Sequence, residues 1–142
     1  MALDWILPKV EHDTTPIVLI LPGVAAHSQV GYVKCMVKVV NEDLKARCVV
    51  FNYRGRGNHP LKTPRTYCAT NIQDLESVLN HVKGFYPKAP ICGIGFCFGG
   101  VMLGTYLIEK GKSAILNASM LVSTPFDPYP GKLIRNQINR LS

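Results

Sequence analysis

The six residues Gly95–Gly100 constrain the fold of this chain more than any other segment. They read Gly-Phe-Cys-Phe-Gly-Gly, between an apolar, strand-like stretch, Ala89–Ile94, and an apolar, helix-like stretch, Val101–Ile108. A nucleophile presented on a sharp strand-to-helix turn needs small neighbours, because the backbone there is strained and the helix packs closely on the sheet. The segment therefore predicts a nucleophile elbow that carries the thiol of Cys97.

Strand-like and helix-like segments alternate along the chain. The apolar run Pro16–Leu21 is typical of a strand covered on both faces, Ala46–Tyr53 and Leu116–Val122 are predicted as further strands, and Ala2–Leu7 is typical of an edge strand. This order predicts an α/β fold in one domain, residues 1–142, with a doubly wound, mostly parallel sheet. We expect the elbow at the carboxyl edge of a central strand.

Three helices are predicted besides the one that follows the elbow. The first begins near Ser28, whose side chain we expect to cap it. The second begins with a capping box between Thr70 and Gln73. A third, short helix is predicted for Lys132–Leu141. The second has the clearest apolar stripe, which predicts its buried face: Ile72, Leu75, Val78, Leu79 and Val82.

The composition narrows the classes of function. The chain has 142 residues, is 47% hydrophobic and carries a net charge of +7. Its basic residues are scattered, which argues against nucleic-acid binding and favours weak attraction to anionic lipid headgroups. No apolar run reaches the roughly 18 residues of a transmembrane helix, and no signal-peptide pattern opens the chain. The sequence therefore predicts neither a transmembrane helix nor a signal peptide, and it leaves the compartment and the oligomeric state of the protein open.

The cysteines do not suggest a metal centre. There are five, an odd number, and none has the spacing of a zinc site or a CxxC motif. Apart from Cys97 they are interpreted as reduced, small core residues, which favours a reducing environment. No metal or organic cofactor is expected.

Several segments besides the elbow resemble one known family. They are Leu21–Gly23, Arg47–Gly55, Thr63–Cys68 and Asp74–Glu76. Together they are similar to the α/β-hydrolase 4 branch of the α/β-hydrolase superfamily, which includes the abhydrolase domain-containing proteins 1 and 3. The similarity runs from about residue 2 to about residue 127, and the Thr-Pro-Arg-Thr-Tyr-Cys and Phe-Asn-Tyr-Arg-Gly segments are its most specific parts.

This resemblance implies a lipid-ester hydrolase, of phospholipase or carboxylesterase type, that acts through an acyl-enzyme. The family's triad is Ser, Asp and His in that order, but Cys97 occupies the serine position here. In the family, the catalytic acid and histidine belong to strands later than those of this chain, and the family's first strand precedes the position of Met1. We therefore expect a sheet without the first and last strands, as in a fragment or truncated form. Larger family members have a membrane-anchoring helix, so the resemblance implies membrane association.

The nucleophile and the oxyanion hole can be assigned to positions. The N-terminal end of a helix favours the thiolate of Cys97, and the alternative is an inert replacement of serine. Two backbone N–H groups are expected to form the oxyanion hole, those of Phe98 and Val24. For the second, the alternative is that Pro22-Gly23 is a plain turn at the end of a strand.

The base and the acid have weaker candidates. His27 is the surrogate base because it lies in the predicted oxyanion loop, although a solvated loop histidine is the favoured interpretation. Of the other histidines, His81 is interpreted as solvated, His12 precedes the first buried strand and His59 lies in a loop. Asp127 is the surrogate acid because it follows the last predicted strand, and the alternative is a turn-forming Asp-Pro.

Three functions remain open from the sequence. The first is hydrolysis of a lipid or small ester through an acyl-enzyme on Cys97. The second is a catalytically inactive pseudoenzyme or interaction fragment. The third is a thiol hydrolase like the dienelactone hydrolases, which share the G-x-C-x-G-G elbow. In each of them Arg54, Gly55, Arg65 and Tyr67 are interpreted as loop scaffold, with a lipid-headgroup contact as the alternative.

Overall fold

The computed structural model describes residues 1–127. Five strands and three α-helices follow one another as β1 Ala2–Ile6, β2 Ile17–Leu21, α1 Gly31–Lys38, β3 Arg47–Asn52, α2 Gln73–Phe85, β4 Ile91–Phe96, α3 Phe98–Lys110 and β5 Ala118–Val122. A π-helical turn, Val39–Asp43, extends α1, and a 3-10 turn, Gly111–Ser113, extends α3. The helix predicted for residues 132–141 lies outside the described residues.

The strands form one sheet in the order β1-β3-β2-β4-β5. β1 runs antiparallel to β3 at one edge, and the other neighbouring strands are parallel. The predicted α/β fold with a mostly parallel sheet is thus confirmed. Ile17 of β2 lies opposite both Arg47 of β3 and Ile91 of β4. The carboxyl ends of these three strands therefore meet at one edge of the sheet, where Cys97 follows β4.

Two apolar layers enclose the sheet. On one face, Leu19 and Phe51 pack with α2 and α3, and on the other, Ile20 and Val50 pack with Val33 of α1. Alternate residues of one strand thus enter opposite layers, which is why β2 and β3 are apolar at nearly every position. All five residues of the apolar stripe predicted for α2 are buried.

The predicted helix caps are wrong. Helix α1 begins at Gly31 without a side-chain cap, and Ser28 is buried upstream, where its N–H donates to Asn52 Oδ1 at 2.9 Å. At the start of α2, Asn71 Oδ1 accepts the Gln73 N–H at 3.1 Å, and Thr70 contacts a cysteine sulfur instead. Asn71 thus serves the start of α2 with the Asx-type bond that the capping box assigned to Thr70.

Candidate active site

The strand–turn–helix geometry predicted for residues 95–100 is present. Cys97 separates β4 from α3 and has φ 49° and ψ −109°, a conformation that L-residues rarely adopt. Its N–H donates to the Val122 carbonyl oxygen of β5 at 2.9 Å, and its own carbonyl oxygen accepts the Val101 N–H at 3.1 Å. Hydrogen bonds on both sides therefore hold the strained turn, which puts the thiol at the N-terminal end of α3.

The elbow glycines are required because other atoms lie too close to leave room for a side chain. A Cβ atom added to Gly95 would lie 2.6 Å from Gly100 Cα, and one added to Gly99 would lie 2.1 Å from the Leu21 carbonyl oxygen. A Cβ on Gly100 would lie 2.0 Å from Thr124 Oγ1. The first turn of α3 thus packs directly on the end of β2, which fixes the elbow relative to the loop that follows β2.

That loop, Pro22–Ala25, lies beside the nucleophile. A Cβ atom added to Gly23 would be 3.7 Å from Cys97 Cβ. Val24 follows with an exposed side chain, and Phe98 is the first residue of α3, where backbone N–H groups lack partners within the helix. The structure therefore places both predicted oxyanion-hole residues in segments that adjoin Cys97.

Three tyrosine hydroxyls hold the backbone of the Pro22–Ala25 loop. The bonds run from Tyr53 Oη to the Pro22 carbonyl oxygen at 2.7 Å, from Gly23 N–H to Tyr32 Oη at 2.8 Å, and from Ala25 N–H to Tyr67 Oη at 3.3 Å. Burial raises the pKa of Tyr53 far above its usual range, so its hydroxyl stays protonated and donates. The backbone at Val24 thus lies between two peptide groups held by side chains.

The same aromatic residues support the start of α3. The Tyr67 ring stacks on Tyr53 with centroids 5.0 Å apart, and the Phe98 ring meets both edge-on at 5.1 and 5.5 Å. One aromatic cluster therefore contacts both segments of the candidate oxyanion hole. Sequence reasoning selected Tyr67, named Tyr53 only as part of the Phe-Asn-Tyr-Arg-Gly segment, and missed Tyr32, which lies in no local motif.

The basic connection between β3 and α2 has a structural role. Arg54 donates from Nε and Nη2 to the Asp74 carboxylate at 2.6 and 2.8 Å, and Arg65 lies 3.8 Å from the same carboxylate. The hydrogen bonds from Arg54 hold the pKa of Asp74 below its usual value. These contacts favour the interpretation of Arg54 and Arg65 as loop scaffold over that of a lipid-headgroup contact, because both guanidinium groups are already paired with Asp74.

The structure does not join the surrogate base to the thiol. His27 Nδ1 accepts the Gln29 N–H at 3.3 Å, and the ring lines a cavity with Arg56 and His59. Within residues 1–127, no hydrogen bond connects a histidine to Cys97 Sγ. Asp127 is exposed and follows β5 by five positions.

The other three histidines are all exposed, on α2 or in connecting segments. His81 is exposed on α2 and packs against Phe85 with ring centroids 4.8 Å apart. His12 and His59 are exposed residues of connecting segments. No helix among the described residues is long and apolar enough to cross a membrane.

Known proteins resemble the chain in sequence. It is 38% identical over 134 residues to mouse Phospholipase ABHD3, covering 91% of this chain and 32% of the relative. It is 40% identical over 128 residues to Protein abhd-3.2 of Caenorhabditis elegans, covering 89% and 34%. The chain thus spans about a third of the length of these relatives. No protein-family model matches it.

Solved structures share the fold at low sequence identity. Est1E from Butyrivibrio proteoclasticus superposes with a TM-score of 0.69 at 17% identity, over 83% of this chain and 46% of that one. Mouse alpha/beta hydrolase domain-containing protein 10 superposes with a TM-score of 0.64 at 16% identity, over 95% and 53%. From the sheet order, the elbow and these similarities we conclude that the chain has the α/β-hydrolase fold and resembles the abhydrolase domain-containing proteins in sequence.

Proposed function

We propose that this chain carries the acyl-accepting thiol of a lipid-ester hydrolase. The Cys97 thiolate adds to the ester carbonyl carbon, and the carbonyl π electrons move to oxygen as an alkoxide. Collapse of this adduct breaks the C–O bond, the alcohol leaves with a proton from solvent or an acid, and water later hydrolyses the thioester. The observation that carries the proposal is the position of Cys97 on the elbow, with the Pro22–Ala25 loop against it.

The alkoxide formed in this step needs hydrogen-bond donors. We assign them to the backbone N–H groups of Val24 and Phe98, because both segments adjoin Cys97 and the aromatic cluster contacts both. Removing one such donor from a hydrolase costs about 10²–10³ in rate. The tyrosine bonds support this assignment because a hole acts through donors that are fixed before the reaction.

The substrate class rests on the relatives. The mammalian relative is named a phospholipase, and the proposed substrate here is accordingly a lipid or small carboxylic ester. His27 as base and Asp127 as acid remain predictions. A pH–rate profile of Cys97 acylation in His27→Gln and Asp127→Asn checks them, since loss of a base removes the corresponding limb of the profile.

A non-catalytic interaction protein is the second candidate. It is favoured by the missing hydrogen bond between a histidine and Cys97 Sγ within residues 1–127, since acyl transfer normally uses such a base. In this alternative the elbow serves only to pack α3 on β2.

Intact-mass and peptide-level mass spectrometry after incubation with p-nitrophenyl butyrate separates the two candidates. The hydrolase proposal expects a butyryl adduct on the Cys97 peptide that Cys97→Ala abolishes. Cys35 and Cys68 are exposed, so the prediction that they are core residues is wrong, and Cys35→Ala and Cys68→Ala should keep the adduct. An unmodified Cys97 peptide, or an adduct that survives Cys97→Ala, would favour the non-catalytic candidate.

A further inference from the structure

A basic cavity lies beside the loop that contains Val24. Its volume is about 490 Å³, and it is lined by Ala25, His27 and residues 55–60. Four of the side chains that line it can donate hydrogen bonds, and no lining residue is acidic: His27, Arg56, Asn58 and His59 are the donors. The lining therefore favours an anionic ligand over a cationic or neutral one.

Arg56 differs from the other arginines that the structure describes. Arg47, Arg54 and Arg65 each lie within 4.0 Å of a carboxylate. In this part of the chain Arg56 has no such partner, and its Nε donates to Tyr67 Oη at 3.2 Å, with the guanidinium carbon 5.4 Å from the Tyr67 ring centroid. Tyr67 thus fixes the guanidinium through one edge, which leaves the two terminal amino groups as donors for a ligand.

His27, which also lines the cavity, supplies a further donor. Because its Nδ1 accepts the Gln29 N–H, the neutral ring carries its hydrogen on Nε2. His59 lines the cavity as well and is exposed. The cavity therefore combines one permanently charged, pre-oriented donor with two imidazoles, a set suited to oxygen atoms that carry negative charge.

We propose that this cavity binds a phosphate group, with Arg56 as the principal contact. A planar guanidinium matches two phosphate oxygens at once, which a point charge does not. The group belongs either to a lipid headgroup whose ester reaches Cys97 or to free phosphate. The assignment to a lipid headgroup rests on the proposed function, because it requires an ester at Cys97, and Ala25, which lines the cavity, directly follows Val24. The binding of a phosphate group as such does not rest on the proposed function.

Isothermal titration calorimetry with the whole chain tests the site without requiring turnover. The ligands are inorganic phosphate, monomeric dihexanoyl phosphatidic acid and dihexanoylglycerol, in phosphate-free buffer at constant ionic strength. We expect Arg56→Gln to weaken binding of the phosphate ligands by about tenfold or more, since a charged hydrogen bond is lost. Arg65→Gln is the matched control, because it removes the same charge from an arginine already paired with Asp74.

A second pair of variants covers the case in which Arg56→Gln fails to fold. His59→Gln changes an exposed loop residue and should weaken phosphate binding by about threefold, whereas His81→Gln on α2 should leave it unchanged. Equal losses in Arg56→Gln and Arg65→Gln would show diffuse charge attraction and overturn the proposal, as would unchanged binding in Arg56→Gln. Where Arg56→Gln does not fold, phosphate binding that His59→Gln leaves unchanged would overturn it.

The two sources are separated by the three ligands. If phosphatidic acid binds more tightly than both inorganic phosphate and dihexanoylglycerol, the ligand is a lipid headgroup. If inorganic phosphate binds through Arg56 and the two lipids do not bind, the ligand is free phosphate. Failure of the Cys97 butyryl adduct would overturn the proposed function and leave these dissociation constants unaffected, so the two failures are distinguishable.

Discussion

The hydroxyl of Tyr67 accepts a hydrogen bond from the backbone N–H of Ala25 at 3.3 Å, although the two residues are 42 positions apart. This bond joins the connection between β3 and α2 to the loop that lies against Cys97. The ring of Tyr67 also meets Phe98 at the start of α3. One side chain thus links the two backbone segments from which we propose the oxyanion donors.

Tyr67→Phe should weaken the proposed oxyanion hole while the nucleophile stays reactive. A trifluoromethyl ketone forms a hemithioketal on Cys97 with a negatively charged oxygen, whereas alkylation by iodoacetamide creates no such charge. We expect the ketone to bind about three- to tenfold more weakly, because one hydrogen bond that fixes the loop is lost. Fluorine NMR and the alkylation rate measure the two effects separately.

The matched control for this variant is Tyr86→Phe. Tyr86 packs against Trp5 and Arg47 and is far along the sheet from the elbow. It should leave both measurements unchanged. If Tyr67→Phe slows ketone binding and alkylation equally, its role is structural and does not concern the oxyanion.

Gly99→Ala should destabilise the fold strongly. Its Cβ atom would lie 2.1 Å from the Leu21 carbonyl oxygen, so α3 must move away from β2, which costs about 3 kcal/mol or more in the free energy of unfolding. Gly84→Ala is the matched control within α2, because its Cβ meets nothing within 4 Å. It should stabilise the chain by about 0.5–1 kcal/mol. Urea unfolding followed by circular dichroism compares them, and equal midpoints would contradict the packing argument.

The sequence predicted the parts of this fold that depend on local patterns. β2 and β3 are continuously apolar because helices cover both faces, and the elbow is recognisable because backbone atoms at Gly95 and Gly99 and the Thr124 hydroxyl at Gly100 exclude a Cβ. The predicted cap of α2 was wrong because Asn71, one position from Thr70, makes the bond, and that of α1 was wrong because Ser28 is buried upstream of the helix. The tyrosine bonds to the loop join residues 9, 31 and 42 positions apart, so their geometry depends on the path of whole loops.

Asp74→Asn should make the free energy of unfolding depend less on pH in the acidic range. Hydrogen bonds from Arg54 hold the pKa of Asp74 below its unfolded value, so the folded state binds fewer protons there. The resulting stabilisation is present above the unfolded pKa of about 3.9 and is lost as the pH falls through the folded pKa. Asp74→Asn should therefore have a lower urea midpoint than the wild type at pH 7, and the difference should shrink below about pH 4.

The control for this prediction is Asp13→Asn. Asp13 pairs with Lys88 at 3.1 Å, but both side chains are largely exposed, and such pairs contribute little. Its urea midpoint should follow that of the wild type across the same pH range. A difference between Asp74→Asn and the wild type that stays constant from pH 7 to pH 3 would show that the effect is one of packing rather than of charge.

The exposed and the buried cysteines should differ in reactivity towards iodoacetamide. A hydrogen bond with Thr70, at 3.2 Å, lowers the pKa of the exposed Cys68 thiol, whereas burial raises the pKa of Cys48 to about 12. Cys68 therefore has the larger thiolate fraction near pH 7 and should alkylate rapidly, while Cys48 should stay unmodified in the folded chain.

Thr70→Val removes the hydroxyl at similar volume and should slow alkylation of Cys68 alone, with Cys35 as the internal reference. Peptide mapping after timed labelling measures each rate, and a Cys68 rate that Thr70→Val leaves unchanged would rule out the hydroxyl as its cause.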